Sequence, residues 1–182
     1  DRDSIAMNHS EAKIQFGGEC ILSSPLWLSF DPTNATAIDS VWDIITNTEA
    51  IAVNKAWAGA PGGLLTKSAE TTPMWCFEPD RTSKNATCSF ATTMVWSKPL
   101  PNGAVAALLV NNGVGHNDVT LAFDDVANVY NLTCGAHCHV RDVWGRQNLG
   151  MHSGAYTAAG LAPHDSAFII LNTSAGSGAC SS

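Results

Sequence analysis

Residues 10–31 read SEAKIQFGGECILSSPLWLSFD, and the fold turns on how this stretch divides. Ser10 to Ser23 predicts a helix, with Ser10 as N-cap and Glu11 favourable in the first turn. Its apolar face uses Ala12, Phe16 and Cys20, with Ile14 and Ile21 flanking. Gly17 and Gly18 weaken a helix, so their presence predicts close packing against a neighbour. Pro25 blocks continuation, and Leu26 to Phe30 predicts a short buried strand ending at Asp31. Thr36 to Thr46 predicts a second helix, with Ala37, Val41, Ile44 and Ile45 at helical spacing and acids on the other side. Glu49 to Val53 adds a further helical turn, and Ala58 to Gly63 breaks the pattern. One helix, one strand and one helix cannot bury a core of their own. Residues 1–63 therefore read as the closing unit of an α/β barrel.

Working outward, the texture changes at about Leu64. Short β-favouring runs alternate with turn signals at Pro73–Glu78, Thr87–Trp96, Ala104–Asn111, Val119–Phe123, His139–Trp144 and Ala167–Asn172. Asn102-Gly103 between two of them is the strongest short hairpin signal. Residues 64–182 predict an antiparallel β-sandwich with no convincing helix. The expected fold class is α/β plus all-β, the last unit of a (β/α)8 barrel followed by that sandwich.

The bulk numbers limit the partners. The chain has 182 residues, 45% of them hydrophobic and 14% charged, which describes a globular core rather than disorder. A formal charge of −7 with nine Lys and Arg leaves no basic footprint. Nucleic acid and anionic membrane are excluded as partners on that ground, and Ala104–Val110 is too short to span a bilayer. Five Asn-x-Ser/Thr sequons stand at Asn8, Asn34, Asn85, Asn131 and Asn172. With six cysteines they predict a secreted glycoprotein, any signal peptide having been removed or lying upstream of Asp1.

No residue pair in the chain reads as catalytic. Asp31 ends the expected strand, but before Pro32 its natural role is to open a turn and cap the next helix. Asp39 and Asp43 share a helix face that reads as solvated, and Asp124-Asp125 reads as a polar loop. His116, His152 and His164 share no spacing with a nucleophile; His164-Asp165 suits a structural hydrogen bond. Cys134, His137, Cys138 and His139 could hold zinc, yet three intervening residues also suit a tight Cys134–Cys138 disulfide, which an oxidising compartment favours. No metal or cofactor is expected. Cys76 and Cys88 flank a polar loop and are natural hairpin partners. Cys20 reads as a buried free thiol with Cys180 in a mobile tail, a Cys20–Cys180 bridge being the less favoured option. Of the six tryptophans, at least four are expected in the core.

The stretch from Ser10 to Gly59 resembles the end of an α-galactosidase (melibiase) barrel. There the seventh helix ends in Phe-Gly-x-Trp-Cys and a Pro-Leu-x-x-x-x-Asp strand follows, as Phe16 to Cys20 and Pro25 to Asp31 do here, with Glu19 in place of Trp. Val41 to Asn54 is similar to the last barrel helix, and Ala56-Trp-Ala-Gly59 to the barrel exit, with Lys55 where the family has Gln. Val95-Trp-Ser-Lys-Pro-Leu100, Arg141-Asp-Val-Trp144 and Ala162-Pro-His-Asp165 resemble landmarks of its C-terminal sandwich. The resemblance also includes a local Cys-x-x-x-Cys bridge at Cys134 and Cys138. It implies retaining hydrolysis of terminal α-linked galactose by two Asp on the fourth and sixth strands, upstream of this chain. Asp1 to Ile5 is faintly similar to the segment after the seventh strand, which makes Asp3 the substrate-binding candidate, although the spacer to the next helix is shorter. The partners implied are the N-terminal part of the same barrel and a terminal α-galactoside, with self-assembly as a further option. A non-catalytic extracellular glycoprotein built from the same module is the alternative.

Overall fold

The computed structural model describes residues 7–28, 31–76, 86–130 and 137–173, with Trp75, Cys76, Ala86, Thr87 and Thr173 described by their backbone alone. Four helices come first: α1 (His9–Leu22), α2 (Ala35–Asp39), α3 (Trp42–Ile45) and α4 (Thr48–Lys55). Strands β1 (Gly63–Lys67), β2 (Thr71–Cys76), β3 (Ala86–Ala91), β4 (Thr93–Pro99), β5 (Val105–Asn111) and β6 (Asn117–Ala122) follow. Helix α5 (Phe123–Tyr130) interrupts them before β7 (Cys138–Asp142), β8 (Gln147–His152), β9 (Ala155–Leu161) and β10 (Asp165–Thr173).

Six strands form one antiparallel sheet in the order β1-β4-β5-β10-β7-β8, and β2–β3 and β6–β9 form separate pairs. Every residue of β5 is buried, because the sheet is covered on both sides. Val105, Ala107 and Leu109 point into a core shared with Val119 and Leu121 of β6, Phe123 and Val126 of α5, and Ile169 and Leu171 of β10. Ala106, Leu108 and Val110 point into a second core with Cys20, Ile21, Ala50 and Val53 of the helices and Phe168. A strand apolar on both faces reads as a continuous run rather than an alternation. The chain is thus a helix layer followed by an antiparallel β-sandwich.

Local chemistry explains most element ends. Asn102 (φ 69°) and Gly103 (φ 75°) both take left-handed backbone, closing the β4–β5 hairpin as their sequence predicts. The Leu100 amide donates to Ala104 O across the turn (2.8 Å). Helix α1 begins two residues earlier than expected. Asn8, not Ser10, is its N-cap, and its side chain and that of Glu11 exchange bonds with each other's backbone amides (2.9 and 2.8 Å).

Several expectations fail. Leu26 to Leu28 form no strand, and Trp27 is 77% exposed; a strand needs a neighbour to bond, and among the described residues none lies beside this segment. The single helix over Thr36–Thr46 breaks at Ser40-Val41 into α2 and α3, and α2 buries no side chain. Thr87–Trp96 divides at Thr92 into β3 and β4. Asp124 and Asp125 occupy the first turn of α5, not a loop. At least four core tryptophans is also wrong, since Trp27, Trp42 and Trp57 are all exposed.

Candidate functional site

The feature that sets this chain apart is how its helix layer is held on one side and left open on the other. The held side centres on Lys98, fully buried in β4. Its ammonium donates to the carbonyls of Val53, Asn54 (3.1 Å) and Cys20 (3.5 Å). These are carbonyls from the last turns of α4 and α1, where a helix leaves acceptors unsatisfied and its dipole favours a cation. Burial pushes the lysine below its ordinary pKa range and raises the adjacent Cys20 thiol to about 12. Asn54 Nδ2 donates to Glu19 O and Ser24 O (3.1 and 2.9 Å), satisfying the end of α1. Buried Asn47 caps α4 through Oδ1 and reaches the sheet by donating to Val143 O (2.8 Å).

Two ion pairs extend the hold. Arg141 of β7 makes a bidentate pair with Glu49 of α4 (2.7 and 3.0 Å), which raises the guanidinium pKa further. Lys13 of α1 meets Asp165 at the start of β10 (2.7 Å). Lys98 was legible in the sequence only as part of a family landmark. The signal that could have found it is its alternation with Val95 and Ser97, which puts it on the helix side of β4.

Elsewhere the helix region leaves apolar side chains uncovered: Trp27, Trp42 and Trp57 are exposed by 77%, 57% and 60%, and Leu22 and Leu28 are exposed too. A hollow of about 500 Å³ lies beside α4, lined by Thr48, Ile51, Ala52, Lys55 and Ala56. A tryptophan buries some 150–250 Å² when covered, so three in water leave a large apolar area uncovered.

Among the described residues the acids form no catalytic pair. Asp31 accepts from the Thr33 amide and hydroxyl (both 2.8 Å), which lowers its carboxyl pKa. It opens the turn as expected, but Asn34 rather than Asp31 caps α2. Asp43 pairs with His9 (3.0 Å), Asp118 accepts from the Gly160 amide (2.7 Å), and Asp165 is held by Lys13. His164 takes left-handed backbone (φ 54°), His152 stacks edge-on against Tyr156, and exposed His137 bonds Ser153 Oγ (2.6 Å). Cys20 is a free, buried thiol. Of the sequons, Asn8 and Asn34 are exposed and Asn172 is half-buried in β10. Asp3, Asn85, Asn131, Cys134, Cys180 and the side chain of Cys76 lie outside the described residues.

With that geometry in view, the likenesses to known proteins agree. Residues 91–171 match the model of the α-galactosidase C-terminal β-sandwich domain. No match was found among curated proteins. Among solved structures, α-galactosidase I from Mortierella vinacea is 26% identical with a TM-score of 0.70, covering 94% of this chain and 38% of that one. The α-galactosidase from Saccharomyces cerevisiae, solved with raffinose, shares 17% identity and a TM-score of 0.70 over 94% of this chain and 45% of its own. A β-L-arabinopyranosidase of glycoside hydrolase family 27 from Geobacillus stearothermophilus shares 16% and a TM-score of 0.67, over 94% and 32%. The chain spans less than half the length of each of these structures, and the last two speak to fold alone. Taken together, these findings show that residues 91–171 match the α-galactosidase C-terminal β-sandwich domain, and that the sandwich with its helix layer has the fold of the corresponding part of these structures.

Proposed function

We propose that this chain is the C-terminal part of a secreted, retaining α-galactosidase-like glycoside hydrolase. Residues 1–63 close a (β/α)8 barrel, and residues 64–182 form the sandwich docked on it. The observation that carries the reading is the open face of the helix layer. Trp27, Trp42 and Trp57 stand in water on the segment that resembles the end of a barrel, beside a strand-like stretch with no strand to pair. The remainder of the barrel covers that face and supplies the two Asp, about 5–5.5 Å apart, that retention requires. The substrate is a terminal α-linked galactoside, and this chain contributes no catalytic residue.

The same reading places the chain in an oxidising compartment. Cys76–Cys88 and Cys134–Cys138 are the disulfides. In support, neither Cys88 nor Cys138 is without a partner, and Cys76 and Cys88 stand on the paired strands β2 and β3. Glycans belong on the sequons, of which Asn8 and Asn34 are open to solvent.

Intact mass and peptide mapping of the native material test the proposal. A contiguous or co-purifying segment with both Asp motifs, together with release of galactose from an aryl α-galactoside, is the expected outcome. A mature protein lacking that segment, or carrying it with either Asp replaced, overturns the enzymatic reading and leaves a non-catalytic structural glycoprotein.

A further inference from the structure

The asparagines of the helix layer fall into two kinds. Asn47 and Asn54, outside any sequon, donate from Nδ2 to protein carbonyls. Asn8 and Asn34, each heading a sequon, use only Oδ1, which accepts from the Glu11 and Ala37 amides (2.9 and 3.2 Å). Both are exposed, and among the described residues neither Nδ2 has a partner. Attaching a sugar to Nδ2 therefore leaves each helix cap intact.

Their position is more informative than their exposure. The C-terminal turns of α1 and α4 converge on Lys98. Helix α1 has 14 residues, so Asn8 lies about 20 Å away along its axis, at 1.5 Å per residue. At that far end His9 bonds Asp43, which ties α3 to the start of α1. Asn34 sits in the turn between the strand-like stretch and α2. In a (β/α)8 barrel, loops that lead from strands into helices form the face on which the active site opens.

We infer that Asn8 and Asn34 carry N-linked glycans on the rim of the barrel mouth, and that these glycans screen the mouth against polymeric substrates while admitting small α-galactosides. The inference rests on the barrel reading proposed above. In the modification, Nδ2 bonds the anomeric carbon of a lipid-linked oligosaccharide pyrophosphate. The anomeric C–O bond breaks, the polyprenyl pyrophosphate leaves with the electron pair, and Nδ2 gives up one proton. The product is bulky and solvated.

Ser10→Ala and Thr36→Ala remove the two sequons while keeping both capping asparagines. The intact parent protein, secreted from a eukaryotic host as wild type and as the double variant, is mapped by glycopeptide mass spectrometry. Both forms are then assayed on an aryl α-galactoside and on galactomannan. Occupancy at both sites is expected, with the aryl rate unchanged by the double substitution and the galactomannan rate raised several-fold. An unmodified Asn8 or Asn34, or an unchanged ratio of the two rates in an active enzyme, overturns the inference alone. Hydrolysis of neither substrate by wild type overturns the barrel-enzyme reading and the screening with it.

Discussion

Lys98 reaches from a strand to the ends of two helices, and among the described residues its charge is answered by carbonyl dipoles and no carboxylate. Replacing it with methionine keeps the volume and strands those acceptors in a buried site. Lys98→Met is expected to lower the unfolding free energy by about 2 kcal/mol, read from urea melts. The sign of the pH effect follows from burial, which holds the folded-state pKa below the ordinary value. The folded chain therefore releases this proton before the unfolded chain does, and the residue's contribution rises as pH climbs toward about 10.4. Unfolding free energies between pH 7 and 10 are expected to show a widening gap between wild type and the variant; a narrowing gap would mean that the site favours the ammonium. Its neighbour Cys20 makes a separate case. A thiol with no exposure and a pKa near 12 has almost no thiolate at pH 8. Iodoacetamide followed by peptide mapping is expected to leave Cys20 unlabelled until denaturant is added, and rapid labelling in buffer would contradict its burial.

Helix α1 holds two neighbouring glycines that the same substitution separates. A Cβ on Gly17 would meet Leu108 Cδ1 at 2.7 Å and Trp144 Cζ2 at 3.2 Å, whereas one on Gly18 meets nothing within 4 Å. Gly17→Ala is expected to cost about 1–2 kcal/mol through overpacking, and Gly18→Ala to gain up to about 1 kcal/mol from helix propensity. Thermal unfolding of the two variants checks the opposite signs. At this scale the sequence was legible where chemistry is local. Asn102-Gly103 specified its turn, Pro25 ended its helix region, and the run at Ala104–Asn111 announced a strand. It was illegible where the outcome depends on distant partners. Leu26 to Leu28 has strand composition but no strand to bond, and the three exposed tryptophans look like core residues until the open face is seen. Phe123, Val126 and Tyr130 do recur at helical spacing in α5, but over too few residues to outweigh Asp124-Asp125. Strands β8 and β9 are rich in Gly, His and Ala, which hides them. The candidate site fared similarly: Asp31 was read correctly as a turn, while the clamp at Lys98 required two helices to be placed against one strand.

Taken as a whole, the molecule has three layers, with the six-stranded sheet between the helices and the β6–β9 pair with α5. The inner face of the helix layer is complete and its outer face is not. Trp27→Ser and Trp57→Ser are therefore expected to change the chain's own stability by less than about 0.5 kcal/mol. On the barrel reading proposed above, each is expected to weaken association with an N-terminal barrel segment by about 2 kcal/mol, roughly 30-fold in affinity. Urea melts of this chain and titration of the separately produced N-terminal part give the two numbers. Equal losses in both would show that these side chains support the chain itself.

Strand β5 has a consequence for how the protein is made. It is apolar on both faces and sits between β4 and β10, but β10 starts at Asp165 while β5 ends at Asn111. On a ribosome adding about 5–20 residues per second, the second neighbour arrives some 3–10 s after β5 has been synthesised. Throughout that interval a flat hydrophobic edge is open to other nascent chains. The sequence that makes the finished sheet inseparable from both of its cores also leaves the growing chain with that edge unpaired until β10 is made.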